Sequence, residues 1–408
     1  MADRLFNKVK VNENNKLPLV SLIVMVSLAS VGSVLPSPAL SEIASAYSIP
    51  AHIAEWVVTL FVLGYALSQL IYGPIANAFG RKRALYFGLG LSIIGSILSS
   101  FATNIEVLLV GRLIMSFGAG CGLNITFTMI NDYYDGPKAR RVTAYVTTAF
   151  AILPGIAIAV GGELTGVLGW RSCFEFLLLY YVIALIFAWK LPETATNYSR
   201  DNIKFKPLIM QYQNVILDKV IYPYALLWGM TNAVVYMMAA VLPIIALQEM
   251  KLTPVYFGFS FLLVTAGYVL GNFITGRLSH SLTAIQVKMI GGVISLTGVI
   301  ALTVIGFFFY SYTLGFFLAL SITYMGLPMV LSTAVAVIVQ RAEDKSTTSS
   351  VTSFIAMMMG FLAALIAGWL QVGLYWKVPL FALVVVLVMC ILIVLIRTMV
   401  NHSSYAKV

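Results

Sequence analysis

Few residues in this chain could do chemistry, and one of them, Arg112, stands inside a long apolar run. An ionisable side chain in hydrocarbon costs about 2.5 to 3.5 kcal/mol on insertion scales, so it persists where it has work to do. Its forked donors suit an anionic group of a solute in a central cavity, or the tuning of a nearby acid's proton affinity. The plainer alternative is a side chain that snorkels to the outer interface. Acids are scarce by comparison, and the first apolar run ends Gly32-Ser33-Val34-Leu35-Pro36 with no carboxylate. Glu55, one turn after His52 at the start of the second run, is therefore the nearest candidate for proton coupling, together with Arg112. Glu163 and Glu175 stand beside a membrane mouth, and for all three acids the competing expectation is an interfacial place near water. A cavity holding Arg112 without a counter-ion would be positive, which favours anionic or zwitterionic solutes over lipophilic cations.

Other chemistries lack their residues. There is no phosphate-binding loop of the GxxxxGK[ST] type and no HExxH. His52, His280 and His402 are far apart, and Cys121, Cys173 and Cys390 are scattered, so neither a metal centre nor a disulfide framework is expected. No acid, base and nucleophile stand within reach of one another, so we expect no enzyme, no catalytic residue and no cofactor. The loops are too short for the partner-binding domain a receptor would need.

Polar and aromatic residues inside the runs are candidates to line a pathway: Ser27, Ser30 and Ser33; Trp56 and Thr59; Asn124 and Thr126; Trp228, Asn232 and Tyr236; Tyr268 and Asn272; Tyr324. Spacings of three or four put Trp228, Asn232 and Tyr236 on one helix face. For each Ser or Thr, helix packing or a bond to the carbonyl one turn earlier is the alternative. Buried amides such as Asn124 and Asn232 have more hydrogen-bonding capacity to satisfy. Pro36, Pro38, Pro154, Pro243 and Pro328 each remove a backbone hydrogen bond and invite a kink, as hinges or as passive features of membrane helices.

The elements that position these residues follow from composition. The chain has 408 residues, 60% hydrophobic and only 10% charged, with a mean hydropathy of +0.95. Soluble domains carry roughly 25% charged residues. The apolar residues come in runs near the 20 or so that an α-helix needs to cross a bilayer. Twelve spans are predicted, near 17–40, 52–75, 84–102, 107–130, 142–168, 174–191, 221–247, 255–276, 286–309, 312–340, 349–371 and 378–400. The fold class is thus an all-α membrane protein of two six-helix, pseudo-symmetric halves. We divide the chain into 1–191, a linker at 192–220, and 221–408. Gly73–Phe79 and Gly271–Arg277 occupy matching places in the halves, and such repeats put a substrate site at their interface. Basic residues outside the spans fall on one side, Arg171, Lys251 and Lys377 excepted, which predicts that both termini are cytoplasmic. The formal charge of +10 is explained by this sidedness and needs no nucleic acid. The linker from Asn202 to Lys219 is either a surface-lying amphipathic segment or a loose tether.

The turn after the second span, Gly73-Pro74-Ile75-Ala76-Asn77-Ala78-Phe79-Gly80-Arg81-Lys82-Arg83, resembles the loop signature of the major facilitator superfamily, with Asn77 where the family has Asp and Ala78 where it often has Arg. Asp132, at the matching end of span four, is expected as a gate residue or ion-pair partner of Arg81, or as a static helix-end contact. Arg112 to Gly118 resembles the family's membrane-embedded Arg motif, with Met115 where Gln is usual. Leu153-Pro154-Gly155-Ile156-Ala157-Ile158-Ala159-Val160-Gly161-Gly162 is similar to the antiporter motif of drug:proton exporters, its second proline replaced by Ile158. Gly169-Trp170-Arg171, Leu191-Pro192-Glu193-Thr194 and Leu247-Gln248-Glu249 extend a likeness to the Bcr/CflA multidrug exporters. The resemblance implies a monomeric secondary carrier in the bacterial cytoplasmic membrane. It would export small organic solutes by alternating access, with protons as the exchanged ion and the lipid bilayer as its surroundings. The alternative is a permease or exporter for an anionic metabolite such as a polycarboxylate siderophore, which Arg112 and the missing acid of span one favour.

Overall fold

A computed structural model describes residues 17–134, 136–195, 205–309, 312–342, 345–370 and 374–402. Among the described residues every regular element is helical. Twelve helical stretches are long and apolar enough to cross a membrane: Leu19–Ala46, Ala51–Phe79, Arg81–Ser100, Ile105–Tyr133, Arg141–Leu168, Arg171–Trp189, Ile221–Glu249, Pro254–Leu278, Ala284–Phe308, Thr313–Arg341, Thr347–Gly368 and Leu374–Met399. They are numbered here as spans one to twelve, and each overlaps its expected span. The end of the bundle carrying Arg81, Lys82 and Arg83 is called the basic end, and the opposite one the far end.

Helix ends are set by local chemistry. The Asn104 side chain accepts from the Val107 N–H at 2.9 Å to start span four, and Thr283 with Gln286 forms a capping box at the start of span nine. Two carboxylates cap from a distance. Glu193, just after span six, accepts the Arg81 and Lys82 N–H groups at 2.9 and 3.0 Å, and Glu249 at the end of span seven accepts those of Leu374 and Tyr375 at 3.1 and 2.8 Å. Both place negative charge where a helix exposes free N–H donors.

Within each half, spans approach closely through glycine. Gly88, Gly95, Gly111 and Gly118 bring spans three and four into backbone contact, and Gly291, Gly298 and Gly326 do the same for spans nine and ten. The halves meet toward the far end. Gly155 of span five packs on Thr265 of span eight, Gly162 on Pro254 and Gly258, and Gly166 on Val255. Span two meets span eleven where Glu55 touches Gly368.

Of the prolines expected to kink their spans, Pro36 and Pro38 stand where span one breaks, whereas Pro154 and Pro328 lie inside continuous helices; span four breaks at Gly120, between Ala119 and Cys121. Span one breaks after Val34 and continues as a 3-10 turn over Ser37–Ala39 before Leu40–Ala46. Span seven ends in a π-turn over Ile245–Glu249.

Between the halves lies a linker helix, Phe205–Leu217. Residues 202–204 of the expected amphipathic segment are outside the described residues. The Tyr212 hydroxyl donates to the Leu70 carbonyl of span two at 2.6 Å. That carbonyl needs an outside donor because Pro74, four residues on, has no N–H to return to it. Burial pushes the Tyr212 phenol up to about 12, so it stays a donor across the physiological range. Tyr212→Phe should therefore undock the linker helix. Amides of Phe205–Leu217 should exchange with deuterium roughly fivefold faster, the worth of about 1 kcal/mol, while exchange in the spans is unchanged. Equal exchange in both proteins would show that the hydroxyl does not hold the helix.

Candidate functional site

Arg112 does not face a cavity. It is 0% exposed, and its three nitrogens are committed: Nε donates to the Val57 carbonyl at 2.7 Å, Nη1 to Gly32 at 2.8 Å and Nη2 to Ser33 at 3.4 Å. The guanidinium lies over the Phe61 ring at 4.3 Å, with Phe174 at 5.9 Å. Neither the solute-binding nor the snorkelling expectation fits this place. The reason is in span one, where Pro36 cannot give an N–H to Gly32 and the helix ends before it, leaving C-terminal carbonyls that a cation satisfies. Arg112 thus joins spans one, two, four and six, and Tyr181 adds a bond from its hydroxyl to the Leu28 carbonyl at 3.2 Å.

Near the middle of the bundle both halves contribute polar and aromatic side chains. Tyr324 of span ten stacks edge-on with Tyr268 and Phe261 of span eight, at ring separations of 6.5 and 6.3 Å, and its hydroxyl donates to the Val235 carbonyl at 3.4 Å. Tyr236 packs on Gly360 of span eleven, which also lies near the Asn232 backbone carbonyl. The Tyr65 hydroxyl of span two and the Asn232 amide nitrogen are both buried with no hydrogen-bond partner. Asn124 donates to the Gln69 side chain at 2.9 Å, joining spans four and two. Ser30 is bonded back to the Ser27 carbonyl at 3.2 Å, the alternative kept open for it. Thr59 is buried, and Trp56 and Trp228 are half-buried. Tyr65 and Gln69 were missed, although two polar residues four apart with Phe61 in an apolar span are the same signal that singled out span seven.

Glu55 is not near water. It is 2% exposed, its Oε2 has no partner, and it lies so close to Gly368 that a methyl group there would collide with it. The far-end contact of spans two and eleven encloses it. Glu163 and Glu175 are exposed.

At the basic end, Arg81 is 3.1 Å from Asp132 and donates also to the Asn77 side-chain oxygen at 2.5 Å. Thr194 donates to the same Asp132 oxygen at 3.2 Å, and Lys82 donates to the Trp189 carbonyl at 2.8 Å. Apart from Thr194, at the start of the linker, all of these contacts lie inside the first half. Gly80 has φ +100°, and any side chain there would run into the Glu193 carboxylate, so the turn needs glycine twice over. Gly73 stands in span two just before Pro74. In span five, after Pro154, Gly155 and Gly162 meet span eight and Gly161 meets the Leu35 carbonyl of span one. The motif therefore supplies the close approach of the two halves.

The chain matches the family model of the Major Facilitator Superfamily over residues 22–368. It is 28% identical over 297 residues to an uncharacterized transporter of Rickettsia felis, covering 72% of each chain. It is 24% identical over 177 residues to Multidrug resistance protein D of Escherichia coli, covering 43% of this chain and 45% of that one. The fold is similar to that of the Escherichia coli xylose transporter in a partially occluded inward-open conformation, with a TM-score of 0.71 at 11% identity over 91% of this chain and 96% of the other.

If Arg112 serves span one's carbonyls, Arg112→Met should destabilise the purified protein by roughly 2 to 4 kcal/mol, since buried acceptors are left without donors. Adding Pro36→Ala returns an N–H to Gly32 and should recover about 1 kcal/mol. Thermal unfolding in detergent measures both, and a double variant no more stable than the single one would contradict this role.

Proposed function

We infer, from the premise that the chain belongs to the Major Facilitator Superfamily of membrane transporters, that it exports small amphipathic organic solutes in exchange for protons. It works as a monomer, by alternating access, in a bacterial cytoplasmic membrane. The basic end and both termini face the cytoplasm, as the placement of Lys and Arg favours. The efflux reading is supported by the likeness to Multidrug resistance protein D.

The coupling reading is carried by Glu55. A carboxylate enclosed between spans two and eleven with one oxygen unpartnered is expensive as an anion, because an unpaired charge is lost from water without compensation. Closure of the far end and protonation of Glu55 therefore favour each other, by linkage. When the far end opens outward, Glu55 meets outer water and takes up a proton there. After closure, a solute entering from the basic end displaces that proton into the cytoplasm-facing cavity, so one proton moves inward for each solute moved out. The deprotonated protein then favours the outward-open state, which is the state that releases an exported solute.

The solute class follows from the middle of the bundle. Tyr236, Tyr268, Tyr324 and Phe261 offer ring faces and edges, and Tyr65 and Asn232 offer hydrogen-bonding groups with no protein partner. A planar, amphipathic molecule suits such walls. The anionic-metabolite alternative rested on Arg112 and on the missing acid of span one; each guanidinium nitrogen of Arg112 donates to a carbonyl of span one or two, which weighs against the first of these.

In proteoliposomes loaded with a pH gradient, Glu55→Gln should abolish proton-driven solute movement, by tenfold or more, while equilibrium binding of the same solute stays within about twofold of wild type. Gradient-driven transport that survives the substitution would remove Glu55 from the coupling.

A further inference from the structure

Among the carbonyls that prolines free in these helices, three have a side-chain donor. Gly32, freed by Pro36, is held by Arg112 of the same half. Leu70, freed by Pro74, is held by Tyr212 of the linker helix. The third lies across the junction: Pro243 of span seven has no N–H for Ala239, and the Ala239 carbonyl accepts from the hydroxyl of Ser37, on span one, at 3.1 Å. Ser37 is 0% exposed and sits in the 3-10 turn between Pro36 and Pro38, which restrict the backbone on either side of it. A second contact on the same junction runs from the Gln248 amide to Ser41 at 3.4 Å.

The first two donors move with their own half or its linker. Ser37 and Ala239 belong to opposite halves, so this bond exists only while the far end is closed. We propose that Ser37 is a positioning residue that holds the far end shut by supplying, from the first half, the donor that Pro243 withholds from the second. Opening the far end leaves the Ala239 carbonyl to water. Span seven thereby carries a proline whose hydrogen-bonding deficit is repaired only in one state of the cycle. This rests on the alternating-access reading but not on proton coupling or on the identity of the solute.

The test is a double-mutant cycle read by labelling. Val255 covers Gly166 in the closed far-end seam, so Val255→Cys reports opening by its reaction with a membrane-impermeant maleimide. Ser37→Ala should raise the labelling rate about threefold, the usual worth of one hydrogen bond between membrane helices. Ser37→Thr keeps the hydroxyl and should stay near the wild-type rate, whereas its isostere Ser37→Val should behave like Ser37→Ala. In a Pro243→Ala background the backbone N–H returns to Ala239, and Ser37→Ala should then change nothing. A threefold rise of the same size in both backgrounds, or no rise in either, would overturn the proposal. If Ser37→Ala does not fold, the Thr and Val pair decides between the same two results. A failure of Glu55→Gln to alter transport would leave this cycle intact, so the two inferences fail separately.

Discussion

A backbone carbonyl inside a bilayer must have a donor, and this fold depends on how it meets that demand where proline interrupts a helix. Hydrocarbon offers no water to repair the loss. In span one the repair is made by a buried arginine, in span two by a tyrosine of the linker helix, and in span seven by a serine of the other half. Each repair joins elements that hydropathy alone would leave free to drift. Arg112 is the strongest of them because it binds three carbonyls and lies against two aromatic rings, so the charge that looked like a substrate hook is a structural clamp.

The same economy of polar groups shapes both ends of the bundle. At the basic end, Asn77, Arg81 and Asp132 of the first half and Glu193 and Thr194 at the start of the linker form one connected group. Asn77, where the family has a carboxylate, serves as a neutral acceptor for Arg81. At the far end glycines meet the side chains of Thr265 and Val255 and the backbone at Pro254 and Gly258, with Glu55 enclosed there and its Oε2 without a partner. A seam of this kind is held by close packing and a few hydrogen bonds.

Much of the fold was legible because twenty-residue apolar runs and the sidedness of Lys and Arg report directly on membrane helices. The glycines of span five stood out through the resemblance to the antiporter motif, and Gly155, Gly161 and Gly162 lie at close helix contacts. The environments of Arg112 and Glu55 were not. Both depend on which helices face them: Arg112 on carbonyls freed by Pro36 some 76 residues earlier, and Glu55 on Gly368 in the other half. A one-dimensional pattern places a residue along a helix but says little about its partners across a junction. The linker helix shows the same limit, since its amphipathic character was visible but its hydroxyl contact with Leu70 was not.

The central claim is that closure of the far end encloses Glu55 and is favoured by its protonation. Spin labels at Val167 of span five and Tyr256 of span eight, both exposed at the far end, measure that closure directly as a distance distribution. A short distance that dominates at about pH 5.5 and gives way to a longer one at about pH 8, with the shift lost in Glu55→Gln, is the result expected from linkage. A distribution that does not change with pH, or that changes equally in Glu55→Gln, would contradict it.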